Sequence, residues 1–248
     1  ITSDFYQSWV STYGSVDPAD GDPRFYKQNI KLTDVCVAVA DYNIDRGILR
    51  GQQYGLQFSG GAFLKCLDGK FKVGKIYNTR KAAPYPAVIH TEKIDFTPAG
   101  SDYSTGYRVE KYEFSKKSQS GRNFGEADIS IVRLADVYLM RAEAKLRKSN
   151  DAAGALADVN KVRTSRTATK PAGTPLSTIN LDLLLRERGF ELYWEMHRRT
   201  DLIRFNKYES GWTEMSSKDK NKRIFPIPQT AIDGASNLPG YLKQNPGY

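Results

Sequence analysis

Apolar residues along this chain change their period near its midpoint. Ile131, Leu134, Ala135, Tyr138, Ala142 and Leu146 recur at steps of three and four, which predicts one stripe of an α-helix. After Ser149, Asn150 and Asp151 a second set, Ala152, Ala155, Leu156, Val159 and Val162, forms the apolar face of a partner helix. Asp151 is placed to cap that partner, because its carboxylate can accept from the free amides of the first turn. So short a joint makes the two helices antiparallel neighbours. Alanines on the facing sides allow close approach, as in helix-turn-helix stacking of the tetratricopeptide kind. Beyond a Pro/Gly/Thr loop, residues 181–205 read as one long, heavily charged third helix. Thr178 or Asn180 caps it, and Asp182 sits near its positive end.

Glu187, Glu191 and Glu195 are spaced by four and so share one face of that helix, with Arg188, Arg198, Arg199 and Arg204 around them. The expectation is structural ion pairs. Acid/base work in a glycosidase needs two carboxylates flanking a sugar across a gap of ~5–9.5 Å, which acids stacked on one helix do not offer. A di-iron bundle needs Glu-x-x-His on facing helices, and here Glu195 and His197 are two apart. No catalytic residue, metal ligand or cofactor site is therefore assigned.

Ahead of residue 128 sustained helical periodicity is missing, and Gly, Pro, Tyr and Phe suggest short strands with long connections. Val35, Val37 and Val39 alternate as one strand face does, as do Phe71 and Val73, and Tyr107 and Val109. Asp17-Pro18 and Asp20-Gly21-Asp22-Pro23 punctuate a loop; their acids lack the ligand series of a calcium loop, so a solvated turn is expected. After Phe205 the chain becomes extended, with FPIPQ at 225–229 laid along a surface and QNPGY at the end. The fold class expected is mainly α with irregular loops and a few short strands. One region covers 1–248: loop-rich 1–127, helical 128–205 and an extended tail over 206–248.

Composition narrows the partners. Charged residues are 26% and hydrophobic ones 40%, which argues against global disorder. The longest apolar run, Val35 to Ala40, falls far short of the ~20 residues of a membrane helix. A net charge of +9 raises nucleic acid as a partner, since Lys and Arg neutralise phosphate. Yet the densest basic cluster, Lys65, Lys70, Lys72, Lys75, Arg80 and Lys81, comes with no nucleic-acid module, so it reads as a solvated surface. Cys36 and Cys66 lack zinc spacing. Outside the cytoplasm they can pair, but two separate small core residues is the simpler expectation.

The wording of several segments then adds what periodicity cannot. RLADVYLMRAEA at 133–144, ALADVNKVR at 155–163, ERGFELYWEMHRRTDLIRF at 187–205, FPIPQ and the terminal QNPGY together resemble the carboxy-terminal portion of the SusD/RagB family. DPRF at 22–25 and YNTRK at 77–81 are similar to family segments in the same order. The resemblance implies a SusD-like α-α superhelix in a lipid-anchored, cell-surface protein of the outer membrane of a Bacteroidetes-type bacterium. It implies capture of a glycan, without cleavage, for a TonB-dependent transporter of the SusC type. It also implies a signal peptide, a lipid-bearing Cys and further tetratricopeptide pairs upstream, so the chain reads as roughly the second half of such a protein. The membrane enters only through that anchor.

Aromatic residues are 12% of the chain, enough for a surface on which sugar rings stack. Trp9, Tyr6 and Tyr13 lie in a polar, Ser/Thr-rich stretch with little core periodicity and are the first candidates to touch glycan. Tyr42 and Tyr54, near Asn43, Asp45, Arg46 and Gln52, are the second. Two other functions compete: a helical protein-interaction scaffold without a sugar site, and a glycoside hydrolase.

Overall fold

The computed structural model describes residues 1–25, 36–37, 47–97, 105–112, 130–166, 173–235, 237–238 and 240–248. These form two compact units, Ile1–Glu195 and Met196–Tyr248. The chain is mainly helical with a few short antiparallel strands. Among the described residues of the first unit α1 (Ser3–Tyr13) and α2 (Pro18–Gly21) precede nine strands. Those are β1 (Cys36–Val37), β2 (Gly47–Leu49), β3 (Gly51–Gln52), β4 (Tyr54–Leu56), β5 (Phe58–Ser59), β6 (Ala62–Phe63), β7 (Phe71–Lys75), β8 (Ile89–His90) and β9 (Arg108–Glu110). Then come α3 (Leu134–Ser149), α4 (Ala152–Thr164) and α5 (Leu181–Leu192). The second unit holds α6 (Arg198–Arg204) and α7 (Gln229–Gly234).

The α3–α4 hairpin closes through Asn150 and Asp151. Asn150 takes the left-handed conformation, φ 50°, that ends a helix, a conformation asparagine tolerates better than most residues. Asp151 caps α4, its Oδ1 accepting from the Gly154 amide at 2.8 Å. Arg141 meets Asp158 while Lys145 reaches the Gly154 carbonyl, so residue numbers run in opposite directions and the helices are antiparallel. Ala142 and Ala155 are fully buried. The buried side of α3 differs from the predicted stripe. Asp136, Leu139, Ala142 and Glu143 face inward, whereas Ile131 lies ahead of the helix and, like Leu134, is exposed. A buried ion pair accounts for Asp136, which Arg188 on α5 meets at 2.8 Å, while Glu143 is paired at 2.8 Å with the exposed Arg147 one turn along α3.

The predicted long third helix is two helices. It stops at Leu192 because Tyr193 turns extended, and Trp194 and Met196 both take φ 64°. Left-handed backbone at two non-glycine residues cannot continue a right-handed helix. Glu195 therefore leaves the face it was expected to share with Glu187 and Glu191, and Arg198, Arg199 and Arg204 belong to α6 or its ends. A helix as thoroughly buried as α5, with Glu187, Arg188 and Glu191 inside, is tolerated only because those charges are paired.

A helix also stands where loop was expected. Phe5, Trp9 and Tyr13 are four apart and line one side of α1. Trp9, Phe25, Ile48, Phe190 and Tyr193 form a buried cluster, with Phe5, Tyr6, Tyr13 and Tyr107 packed against it. The first acidic turn is only partly solvated, with Asp20 exposed. Asp17 caps the single-turn α2, accepting from the Ala19 amide at 2.8 Å, and Asp22 is buried against Arg24 at 2.6 Å.

Among the described residues four small antiparallel sheets occupy the middle of the first unit, and the largest has the order β1-β7-β4. Cys36 and Cys66, expected to be unrelated core residues, are bonded as a disulfide with Cα atoms 6.2 Å apart. Cys36 is brought to this region because β1 pairs with β7, Cys36 lying opposite Lys72. Val35 and Val39 lie outside the described residues.

In the second unit the two tail motifs hold each other. The Gln244 amide accepts from the Ile227 amide and donates to its carbonyl, at 2.8 and 2.9 Å. The Tyr248 hydroxyl donates to the Ile224 carbonyl at 2.9 Å. Arg199 lies over the rings of Tyr208 and Phe225 and donates to the carbonyls of Lys222 and Arg223.

Candidate functional site

Exposed aromatic rings gather on the small sheet around β7. The turn Gly60-Gly61 folds β5 onto β6, both glycines having positive φ (57° and 82°), as a two-residue hairpin turn requires. That register sets Phe58 opposite Phe63, their rings edge to face at a centroid distance of 5.2 Å. Phe63 continues to Phe71 at 5.8 Å. Residue alternation and the pairings Lys65 with Phe71 and Tyr54 with Lys75 place Tyr54, Phe58, Phe63, Lys65, Phe71 and Lys75 on one face. Phe58 is 62% exposed and Phe63 49%, while Phe71 and Tyr54 are half-buried. Two large rings held on a hairpin, rather than on a loose loop, offer flat apolar surface with few rotamers to freeze.

The residues first expected to meet ligand sit elsewhere. Trp9 is fully buried and stacked on Phe190, so neither ring face is available, a correction to its place among the sugar contacts. A ring every fourth residue explains it: the Ser/Thr content of that stretch is the solvent side of an amphipathic helix. Tyr6 packs on Phe25 and Tyr107, and its hydroxyl accepts from Arg50 at 3.3 Å. Tyr13 donates to Asp22 at 2.5 Å. Burial, with the Asp22 charge beside it, pushes the Tyr13 phenol up to about 12. Of the four candidates among the described residues Tyr54 alone lies on the aromatic face; Tyr42 lies outside the described residues. Sequence reasoning missed Phe58 and Phe63, although the paired glycines between two Phe-bearing runs were a signal for them.

The glutamates form a buried ionic chain. Glu187 accepts from Arg24 at 2.9 Å and Arg163 at 2.7 Å. Glu191 pairs with Arg133 at 3.0 Å and with Arg166. Glu195 pairs with Arg133 at 2.7 Å and with Lys111. Burial alone would raise Glu187, but the Arg24 and Arg163 guanidiniums outweigh it and hold the carboxyl below its usual range. Glu195 is held low against the same burial by Arg133 and Lys111. Glu187 and Glu195 therefore stay ionised at neutral pH and offer no proton to a leaving group. Arg204 meets Asp201 at 2.7 Å, Arg199 is engaged as above, and Arg198 opens α6. Among the described residues no group of three or more His, Cys, Asp or Glu is arranged to hold a metal ion. No described helix is long and apolar enough to cross a membrane.

A model of the SusD family matches residues 95–248. The starch-binding protein SusD of Bacteroides thetaiotaomicron is 34% identical over 164 residues, which are 61% of this chain and 28% of that protein. Among solved structures, a laminarin-binding SusD-like protein is 34% identical; the match covers 47% of this chain and 22% of that one, with a TM-score of 0.37. The chain thus spans less than a third of the length of these relatives. The aromatic face, at residues 54–75, lies ahead of the part matched by the family model.

Proposed function

Because this chain belongs to the SusD family, we propose that it binds a glycan at the cell surface without cleaving it. The observation that carries this reading is the exposed Phe58–Phe63 pair, continued by Phe71 and Tyr54 on one sheet face. Pyranose rings present apolar C–H faces, and rigid aromatic rings cover such faces at little entropic cost. Exposed apolar surface on a folded hairpin is the kind of patch that marks a binding site. Relatives named for binding starch and laminarin support the ligand class. The pairing of Glu187 with Arg24 and Arg163, and of Glu195 with Arg133 and Lys111, supports a non-catalytic role. Delivery to a SusC-type TonB-dependent transporter and a lipid-anchored place on the outer membrane are part of the same proposal.

The test is native gel retardation of the full chain on a broad panel of neutral and charged polysaccharides. Retardation by at least one polymer is expected, with its loss in Phe58→Ala/Phe63→Ala and unchanged near-ultraviolet circular dichroism. Unaltered retardation in that variant would remove this face from the site. Release of reducing sugars from the bound polymer would replace the reading with a hydrolase. Co-purification with a SusC-type transporter but no retardation on any polymer would make it an interaction scaffold.

A further inference from the structure

Cations stand inside the aromatic face, not merely around it. Lys65 lies directly opposite Phe71 and Lys75 directly opposite Tyr54, so both ammonium-bearing chains share the face with Phe58 and Phe63. Both lysines are exposed, and neither has a carboxylate within ion-pair distance among the described residues. The surrounding charge is one-sided. Residues 54–81 hold Lys65, Lys70, Lys72, Lys75, Arg80 and Lys81 against a single acid, Asp68, a local balance of +5 out of the chain's +9. Asp68 itself is engaged by Lys70 at 2.9 Å in the turn before β7.

Like charges such as Lys65 and Lys75 on one small face repel each other in the free protein. An anionic ligand reverses that sign, and a surface of one charge raises its local concentration. We propose that the glycan taken by this face is anionic, carrying carboxylate or sulfate groups, with sugar rings on Phe58 and Phe63 and acid groups on Lys65 and Lys75. This rests on the glycan-binding reading and specifies its substrate class. A polysaccharide suits the arrangement better than a lipid surface. Membrane-seated elements separate an apolar side from a cationic one, whereas here Lys65 is paired with Phe71 and Lys75 with Tyr54 on the same face as the exposed rings.

Matched polymers test it on the full chain: polygalacturonate against its carboxyl-reduced form, and carrageenan against its desulfated form. At least one charged polymer is expected to bind at least tenfold more tightly than its neutral counterpart. Raising ionic strength from about 0.05 to about 0.5 M is expected to weaken that binding, because screening shortens the reach of exposed charges. Lys65→Gln/Lys75→Gln should lose the charged polymer at least tenfold. Lys148→Gln/Lys161→Gln, which removes the same charge from exposed sites on α3 and α4, should retain it. Equal affinity for charged and neutral partners, or full binding by the Lys65/Lys75 variant, would overturn the anionic specificity and leave glycan binding standing. Retention of no polymer of either kind would overturn both. Stronger binding to vesicles of equal phosphatidylglycerol and phosphatidylcholine than to any polysaccharide would assign the face to a lipid surface instead.

Discussion

Trp9 and Phe190 stack face to face, ring centroids 3.6 Å apart and planes 13° from parallel, joining α1 to α5 across most of the first unit. The Arg24 guanidinium lies 5.9 and 5.7 Å from the two ring centroids. One aromatic pair therefore ties the amino-terminal helix to the charged helix and to the ionic chain.

Trp9→Ala removes a fully buried ring, and the cavity left in this cluster is expected to cost ~3–5 kcal/mol. Urea unfolding followed by circular dichroism would show a lowered midpoint with an unchanged slope. A midpoint like the parent's would mean that the cluster is looser than its packing implies.

Glu187→Gln removes one of the two carboxylates that the buried Arg24 and Arg163 guanidiniums share, leaving Asp22 as the other. Breaking one partner of a buried pair costs ~3–5 kcal/mol. Asp68→Asn, which breaks an exposed turn pair with Lys70, is the contrast and should leave the unfolding midpoint in place. Equal effects from the two variants would contradict this account of the buried network.

Stability should fall in acid. Asp22, Glu187 and Glu195 all have folded-state pKa values below their unfolded ones; for each, burial pulls upward and neighbouring cations win, Arg24 in the case of Asp22. Their contribution is present above the unfolded carboxylate range, about pH 4, and is lost as pH drops through the lower folded values. Urea midpoints measured between about pH 7 and about pH 3 should decline steeply below about pH 4, and Glu187→Gln should flatten that decline.

Tyr13 works in the opposite direction. Its folded pKa, pushed up to about 12 by burial and by Asp22, stabilises the protein below the ordinary phenol value, and the effect disappears as pH rises through about 12. Difference absorbance at the phenolate band should show a late-ionising tyrosine, and Asp22→Asn should bring it earlier.

The Cys36–Cys66 bond closes a loop of sequence separation 30. By loop-closure entropy Cys36→Ser/Cys66→Ser is expected to lose about 3–4 kcal/mol. Hydrogen exchange would place the loosened amides in β1, β4 and β7, with α3 and α4 still protected; uniform loosening would count against a local role.

Local rules carried the helical hairpin to within a residue or two. Asp151 as cap and Ala142 and Ala155 as contact residues follow from neighbours in sequence, and the structure has them. The stripe on α3 was misplaced because Asp136 looks like a solvent residue until Arg188 of α5 is seen to pair with it. Tyr193 to Met196 hides its helix break for a related reason. Nothing in the residue types Trp194 and Met196 demands the left-handed backbone that both adopt.

By itself the sequence determined the helical class, the antiparallel pair, the family and the basic excess in residues 54–81, all properties of period, caps, wording and composition. Tertiary structure alone decided which aromatic residues are core and which are surface. Trp9 and Phe58 are equally apolar, and burial depends on what arrives from elsewhere in the chain: Phe190 covers one, while a glycine turn leaves the other standing in solvent. The same holds for the cysteines and the carboxylates, whose partners come from strands and helices that are distant until the chain has folded.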